Sequence, residues 1–198
     1  MINLTGEERV FLYTWFNNLL GNELSETQLQ QYNSGMFQPL FELFKQLGFS
    51  NQIHALETAL TELKDQPLNY LELAADYAQL FLLDSTSSAL PYASAYLEQQ
   101  QLQDNLQAMD KYLKQYHLAI NKQKNEPSDH LCVYLEVLIK LIEQKSLAKQ
   151  QQFIQQQLLS WLPEFIEKAL KIKVKSQFYP QLLQLFFAFI QHDLADKN

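Results

Sequence analysis

Glycine, arginine and cysteine are all scarce in this 198-residue chain, and each scarcity closes off a class of function. The four glycines (Gly6, Gly21, Gly35 and Gly48) lie in the first quarter. Nothing after Gly48 can build the glycine-rich turn that cradles phosphates in P-loop or dinucleotide-binding folds. Arg9 is the only arginine, and 22 acidic residues against 15 basic ones give a net charge of -7. A nucleic-acid partner, which needs a clustered cationic face, is not expected. Cys132 stands alone, so neither an internal disulfide nor a cysteine-rich metal site can form. The most apolar run, residues 182–190, is interrupted by Gln184 and is too short to span a bilayer. The start, Met1 to Glu8, lacks the basic stretch and apolar run of an export signal. The expectation is a protein of the reducing cytoplasm with no stable membrane insertion, no metal and no cofactor.

What is present is apolar and helical. Hydrophobic residues make up 47% of the chain and charged residues 19%, which excludes a disordered polymer. A chain of this size buries about 70% of its extended surface on folding, enough for a core without cross-links. Thr5-Gly6-Glu7-Glu8 and Ser25-Glu26-Thr27-Gln28 have the form of capping boxes, in which side chains satisfy the free amides of a helix start. Gly21 and Gly48 stand where left-handed helix stops belong, and Pro67 suits a first helical turn. Helical spacing of apolar residues recurs from Val10 to Leu20, Phe37 to Leu47, Ile53 to Leu63, Leu71 to Phe81 and Tyr92 to Tyr116. It returns from Leu131 to Ile142, Phe153 to Trp161, Phe165 to Leu170 and Phe178 to Ile190. The glutamine-rich stretch from Gln150 to Gln157 keeps this spacing and reads as a solvated helix face. The fold class is therefore all-α, a helical bundle of about nine or ten helices. Residues 119–127 form the natural hinge linker between an N-terminal subdomain, 1–118, and a C-terminal one, 128–198.

Catalytic motifs are missing. There is no Gly-x-Ser-x-Gly and no His-Glu-x-x-His, and the four histidines are scattered. His130 and Cys132 are two apart, so on a helix they cannot share a metal ion. One string stands out, Glu126-Pro127-Ser128-Asp129-His130. Pro127 disfavours helix at Glu126, and Ser128 or Asp129 can cap the amides beyond it. The positive end of the helix favours Asp129 and disfavours a charged His130. A good helix start accounts for most of the string, but capping requires neither Glu126 nor His130. The second candidate pairs Tyr77 and Phe81 with Pro91-Tyr92-Ala93-Ser94-Ala95-Tyr96. Tyr77/Phe81 and Tyr92/Tyr96 are each spaced i, i+4 and form aromatic ridges, which either pack a core or line a groove.

Taken together, Tyr77-x-x-Leu80-Phe81, Pro91-Tyr92-x-Ser94-x-Tyr96-Leu97 and Glu126-Pro127-x-Asp129-His130-Leu131 resemble the TorD/DmsD family of cytoplasmic chaperones for exported molybdenum-cofactor reductases. Trp161-Leu162-Pro163-x-Phe165 and Phe178-Tyr179 are similar to the tail of that family. The resemblance spans about residues 70–190 and is closest to the branch serving trimethylamine-N-oxide reductase. It implies a non-enzymatic, all-helical protein that binds the twin-arginine signal peptide and the apoenzyme until cofactor is inserted. It also implies that Asp129 and His130 belong to the client-binding surface, that Glu126 and Pro127 shape it, and that Tyr77, Pro91, Tyr92 and Ser94 support it. It allows a monomer or a domain-swapped homodimer exchanging C-terminal segments through 119–127. A guanine nucleotide has been proposed for the family, but no phosphate motif here supports a GTPase. A twin-arginine leader offers two guanidiniums and an apolar stretch, so carboxylates beside aromatic rings are the residue types its receptor needs. Two other readings stay open on the residues alone: a small-molecule-binding helical enzyme using Asp129 and His130 as acid and base, and a helical scaffold.

Overall fold

The computed structural model describes residues 3–64, 66–118, 128–144 and 146–195. Ten α-helices account for most of them: α1 (Gly6–Gly21), α2 (Glu26–Asn33), α3 (Gln38–Gln46), α4 (Ser50–Lys64) and α5 (Asn69–Phe81). A 3-10 turn at Ala93–Ala95 follows, then α6 (Gln99–Gln115), α7 (Leu131–Glu143), α8 (Leu147–Phe153), α9 (Leu162–Lys171) and α10 (Phe178–Ala195). Ile154–Leu158 continues α8 as a short π-helix. The described residues contain no strand, only one isolated antiparallel bridge between Tyr92 and His130. No helix among them is long and apolar enough to cross a membrane.

Both expected capping boxes are formed. Thr5 Oγ1 accepts the Glu8 amide while the Glu8 carboxylate accepts the Thr5 amide, and Ser25 with Gln28 repeats the arrangement. Gly48 takes φ +96° just past α3, as a left-handed stop should. Gly21 does not; the backbone leaves α1 through an extended Asn22. The reason for a glycine there lies elsewhere: a Cβ on Gly21 would come within 2.8 Å of Cys132 Sγ on α7. Pro67 stands before α5 instead of inside its first turn, and Leu68 makes the entry with φ +58°.

The expected hinge, 119–127, lies outside the described residues. Those described fall into two compact units, each discontinuous in sequence. One combines Glu23–Ala89 with Ile166–His192. Its core is aromatic: Phe44 meets Phe49 and Phe189 edge-on, Tyr32 meets Phe178, and Tyr77 meets Phe81 and Tyr179. Two buried polar groups fix its loops. Tyr179 Oη accepts the Leu24 amide at 3.1 Å, and the Asp76 carboxylate accepts the amides of Lys175 (2.9 Å) and Ser176 (2.7 Å) ahead of α10. Burial pushes the Tyr179 hydroxyl well above its usual range.

The other unit combines Leu4–Asn22 and Leu90–Phe165 with the chain from Asp193 onward. At its centre is α7, which buries residues on every side from Leu131 to Ile142. A helix apolar all round cannot lie on a surface, and α1 packs along it. Each fully buried leucine contributes about 1.5–3 kcal/mol, and α7 supplies Leu131, Leu135, Leu138 and Leu141 to the core of this unit.

Candidate functional site

Two of the sequence motifs meet at the start of α7. Backbone comes first: the Ala93 amide donates to the Asp129 carbonyl at 3.0 Å, and the Leu131 amide donates to the Pro91 carbonyl at 2.8 Å. With Tyr92 paired to His130, these bonds make a one-residue antiparallel clasp between segments far apart in sequence. Pro91 has no amide hydrogen, so at this position it offers only the acceptor that the clasp uses.

Side chains then close it. The Asp129 carboxylate, on a residue only 5% exposed, accepts the Ser94 amide at 3.0 Å. Ser94 lies in the 3-10 turn, where free amides favour an anion. His130, 6% exposed, serves as the N-cap of α7 and accepts the Cys132 amide on Nδ1 at 3.2 Å. Its ring meets Tyr92 edge-on, with centroids 4.9 Å apart. Capping thus falls to His130 and not to Ser128 or Asp129, because the Asp129 carboxylate has turned to the other strand of the clasp. An Nδ1 that accepts carries no proton, so the capping imidazole is neutral. Tyr134, one turn into α7, hydrogen-bonds Asn105; burial first and Asp129 second hold its hydroxyl high.

The expected residues divide three ways. Pro91, Tyr92, Ser94, Asp129 and His130 come together; among them Ser94 is exposed and Tyr92 half-buried. Tyr77 is a core residue of the other unit, packed on Phe81 and Tyr179. Glu126 and Pro127 lie outside the described residues. Of the second ridge, Tyr96 stacks on Trp161 and meets Phe165, which makes it part of the packing beside the clasp.

Sequence reasoning missed a second polar centre. Arg9 is buried and grips Asp193 bidentately, Nε to Oδ1 at 2.7 Å and Nη2 to Oδ2 at 2.6 Å. Its Nη1 donates to Gln150 Oε1 at 2.7 Å, Gln150 Nε2 donates to the Leu141 carbonyl, and the Tyr13 hydroxyl donates to Asp193. Gln150 therefore corrects the reading of its glutamine-rich stretch: it is buried, while Gln152, Gln155 and Gln156 are exposed. Burial and Asp193 push the Tyr13 hydroxyl far up. A cleft of about 880 Å³ opens above this centre, between Thr5, Glu7 and Val10 on one side and Ile142, Glu143 and Leu147 on the other. The available signal was the solitary arginine itself, since a lysine cannot reproduce its two-pronged grip.

Residues 45–167 match the family described as nitrate reductase delta subunit. Proteins named Chaperone protein TorD are similar over nearly the whole chain. That of Actinobacillus pleuropneumoniae serotype 7 (strain AP76) is 50% identical over 193 residues, 97% of either chain. Those of Actinobacillus succinogenes and Vibrio parahaemolyticus are 47% and 35% identical, covering 97% and 96% of this chain and 100% and 94% of theirs. The chain belongs to the TorD family. TorD-family proteins are chaperones of molybdoenzyme maturation, and this member is not an enzyme.

Proposed function

We propose that this chain is a system-specific chaperone that binds the twin-arginine signal peptide and the apoenzyme of a molybdenum-cofactor reductase, trimethylamine-N-oxide reductase, and favours cofactor insertion before export. Its likeness to relatives named Chaperone protein TorD supports the class of function. The observation that carries the site is the clasp, which ties Pro91–Ser94 to Asp129–Leu131.

In this reading Asp129 and His130 are positioning residues. They are buried, so they act by fixing the half-exposed Tyr92 and the exposed Ser94. Glu126 supplies a carboxylate for a guanidinium of the leader, and Tyr92 offers a ring to its apolar stretch. The chaperone works in the cytoplasm, before its client is exported.

Titration calorimetry of the full chain with the twin-arginine leader of trimethylamine-N-oxide reductase, and separately with the apoenzyme, tests this. Binding to both, with Glu126→Gln weakening the leader and leaving thermal stability unchanged, is the expected outcome. Absence of binding to either ligand overturns the proposal.

A further inference from the structure

A pocket of about 390 Å³ opens between α6, which brings Asp104 and Asn105, and the π-helix Ile154–Leu158, which brings Gln157. Ser160 and Leu97 join its lining, and Leu97 stands three residues beyond Ser94 of the clasp. Short π segments interrupt the α-helical ladder and often mark functional sites. Here Asn105 braces the interruption. It is buried, its Oδ1 accepts the Tyr134 hydroxyl, and its Nδ2 donates to the Gln157 backbone carbonyl at 3.1 Å. Ser160 Oγ donates to the same carbonyl at 2.9 Å.

The side chain of Gln157 is less well served than its backbone. Its Oε1 is buried and accepts no hydrogen bond from any described residue. A buried acceptor left unmet is costly, and a donor supplied from outside relieves it. The last torsion of a glutamine is soft, so this carbonyl can turn to a donor in the pocket without movement of the helix.

Charge narrows the choice of donor. Asp104 is exposed and accepts the neutral side-chain amide of Gln100 at 3.2 Å, a bond that leaves its charge in place. Residues 97–110 hold Glu98, Asp104 and Asp110, residues 150–166 hold Glu164, and neither stretch contains a lysine, arginine or histidine. No basic residue lines the pocket. The site therefore asks for a cation that donates hydrogen bonds. A divalent metal is not served, because no group of three acidic, histidine or cysteine side chains among the described residues could hold one. An ammonium is compact and strongly hydrated, whereas a guanidinium spreads its donors in a plane and gives up water more readily. It can meet a carboxylate and a carbonyl together, while Leu97 packs against the apolar stem that carries it.

We infer that this pocket is a subsite for an arginine side chain of the client, held by the Asp104 carboxylate and the side-chain oxygen of Gln157. That the arginine belongs to the leader rests on the function proposed above; the preference of the pocket for a guanidinium does not.

The test titrates the full chain with N-acetyl-arginine amide and follows the Gln157 side-chain amide by NMR, its signal assigned by its loss in Gln157→Met. The expected result is a saturable shift, with binding weakened about fivefold by Asp104→Asn. Asp110→Asn, the same charge change on the same helix outside the pocket, should leave binding unchanged. The lysine analogue, which lacks the planar fork, and the citrulline analogue, which lacks the charge, should both bind more weakly. Circular dichroism checks that the variants, both at exposed positions, remain folded. Three outcomes overturn the inference: a Gln157 signal that does not move, which leaves only water at its oxygen; equal binding by folded Asp104→Asn; or equal binding of the citrulline analogue. Titration of Asp104→Asn with the twin-arginine leader separates the two readings. Weaker leader binding supports the subsite, while undiminished leader binding removes the leader from this pocket and leaves the proposed function standing. A leader that binds neither protein defeats the proposed function, and the arginine titration still decides the pocket.

Discussion

Asp129 and Ser94, 35 residues apart, are joined by one hydrogen bond from the Ser94 amide to a carboxylate almost sealed from water. Removing the acceptor leaves the part-buried Ser94 amide without this partner, at a cost of about 0.5–1.5 kcal/mol. Asp129→Ala is therefore expected to lower stability by that amount in urea denaturation. Asp129→Asn keeps an acceptor oxygen and should recover most of the loss. If client binding falls with Asp129→Ala and returns with Asp129→Asn, the carboxylate acts by holding the clasp and not through its charge.

Arg9 and Asp193 make a stronger claim on stability. Breaking a buried ion pair from one side leaves an uncompensated charge, at about 3–5 kcal/mol. Arg9→Met and Asp193→Leu should each cost about that much in chemical denaturation, while the double substitution should cost much less than their sum. Arg9→Lys should not rescue, because an ammonium cannot hold both carboxylate oxygens and Gln150 together.

Crowding at Gly21 gives a reciprocal pair. Gly21→Ala drives a methyl to 2.8 Å from Cys132 Sγ, and overpacking of this kind costs about 1–3 kcal/mol. Cys132→Ala shortens the opposing side chain. The double-mutant cycle should return a coupling energy of opposite sign to the Gly21→Ala loss, and a cycle that closes to zero would show that the two sites are independent.

The loop after α5 carries a pH signature. Asp84 is lowered from 3.8 to about 2, mainly by the Thr86 hydroxyl, then by the Thr86 amide and the Ser87 hydroxyl. A depressed carboxyl stabilises the folded state above its unfolded pKa, and that contribution fades as pH falls from about 3.8 through about 2. A titration of the Asp84 carboxyl carbon by NMR should give a midpoint near 2 in the native protein. Thr86→Val should move it upward.

Legibility in the sequence followed the range of the interactions. Local signals were readable: Thr5/Glu8 and Ser25/Gln28 cap as their spacing demands, and Gly48 stops a helix in the left-handed region. Family likeness pointed to Pro91–Ser94 and Asp129–His130 together, but spacing alone could not bring them into contact, because their bonds are largely backbone bonds across 35 residues. The same holds for Gly21, whose reason is a sulfur atom on a distant helix, and for Gln150, which looks like its exposed neighbours until Arg9 is placed beside it. His130 was misjudged for a different reason: Ser and Asp are better caps in general, but Asp129 was already engaged by Ser94.

Because Cys132 Sγ is tucked against Gly21, a residue of α1 that has no side chain, a thiol reagent can reach it only when those two helices part. Labelling of the native chain with a maleimide is then a stopwatch for that separation, and a client or ligand that clamps the helices together will slow the clock without touching the cysteine.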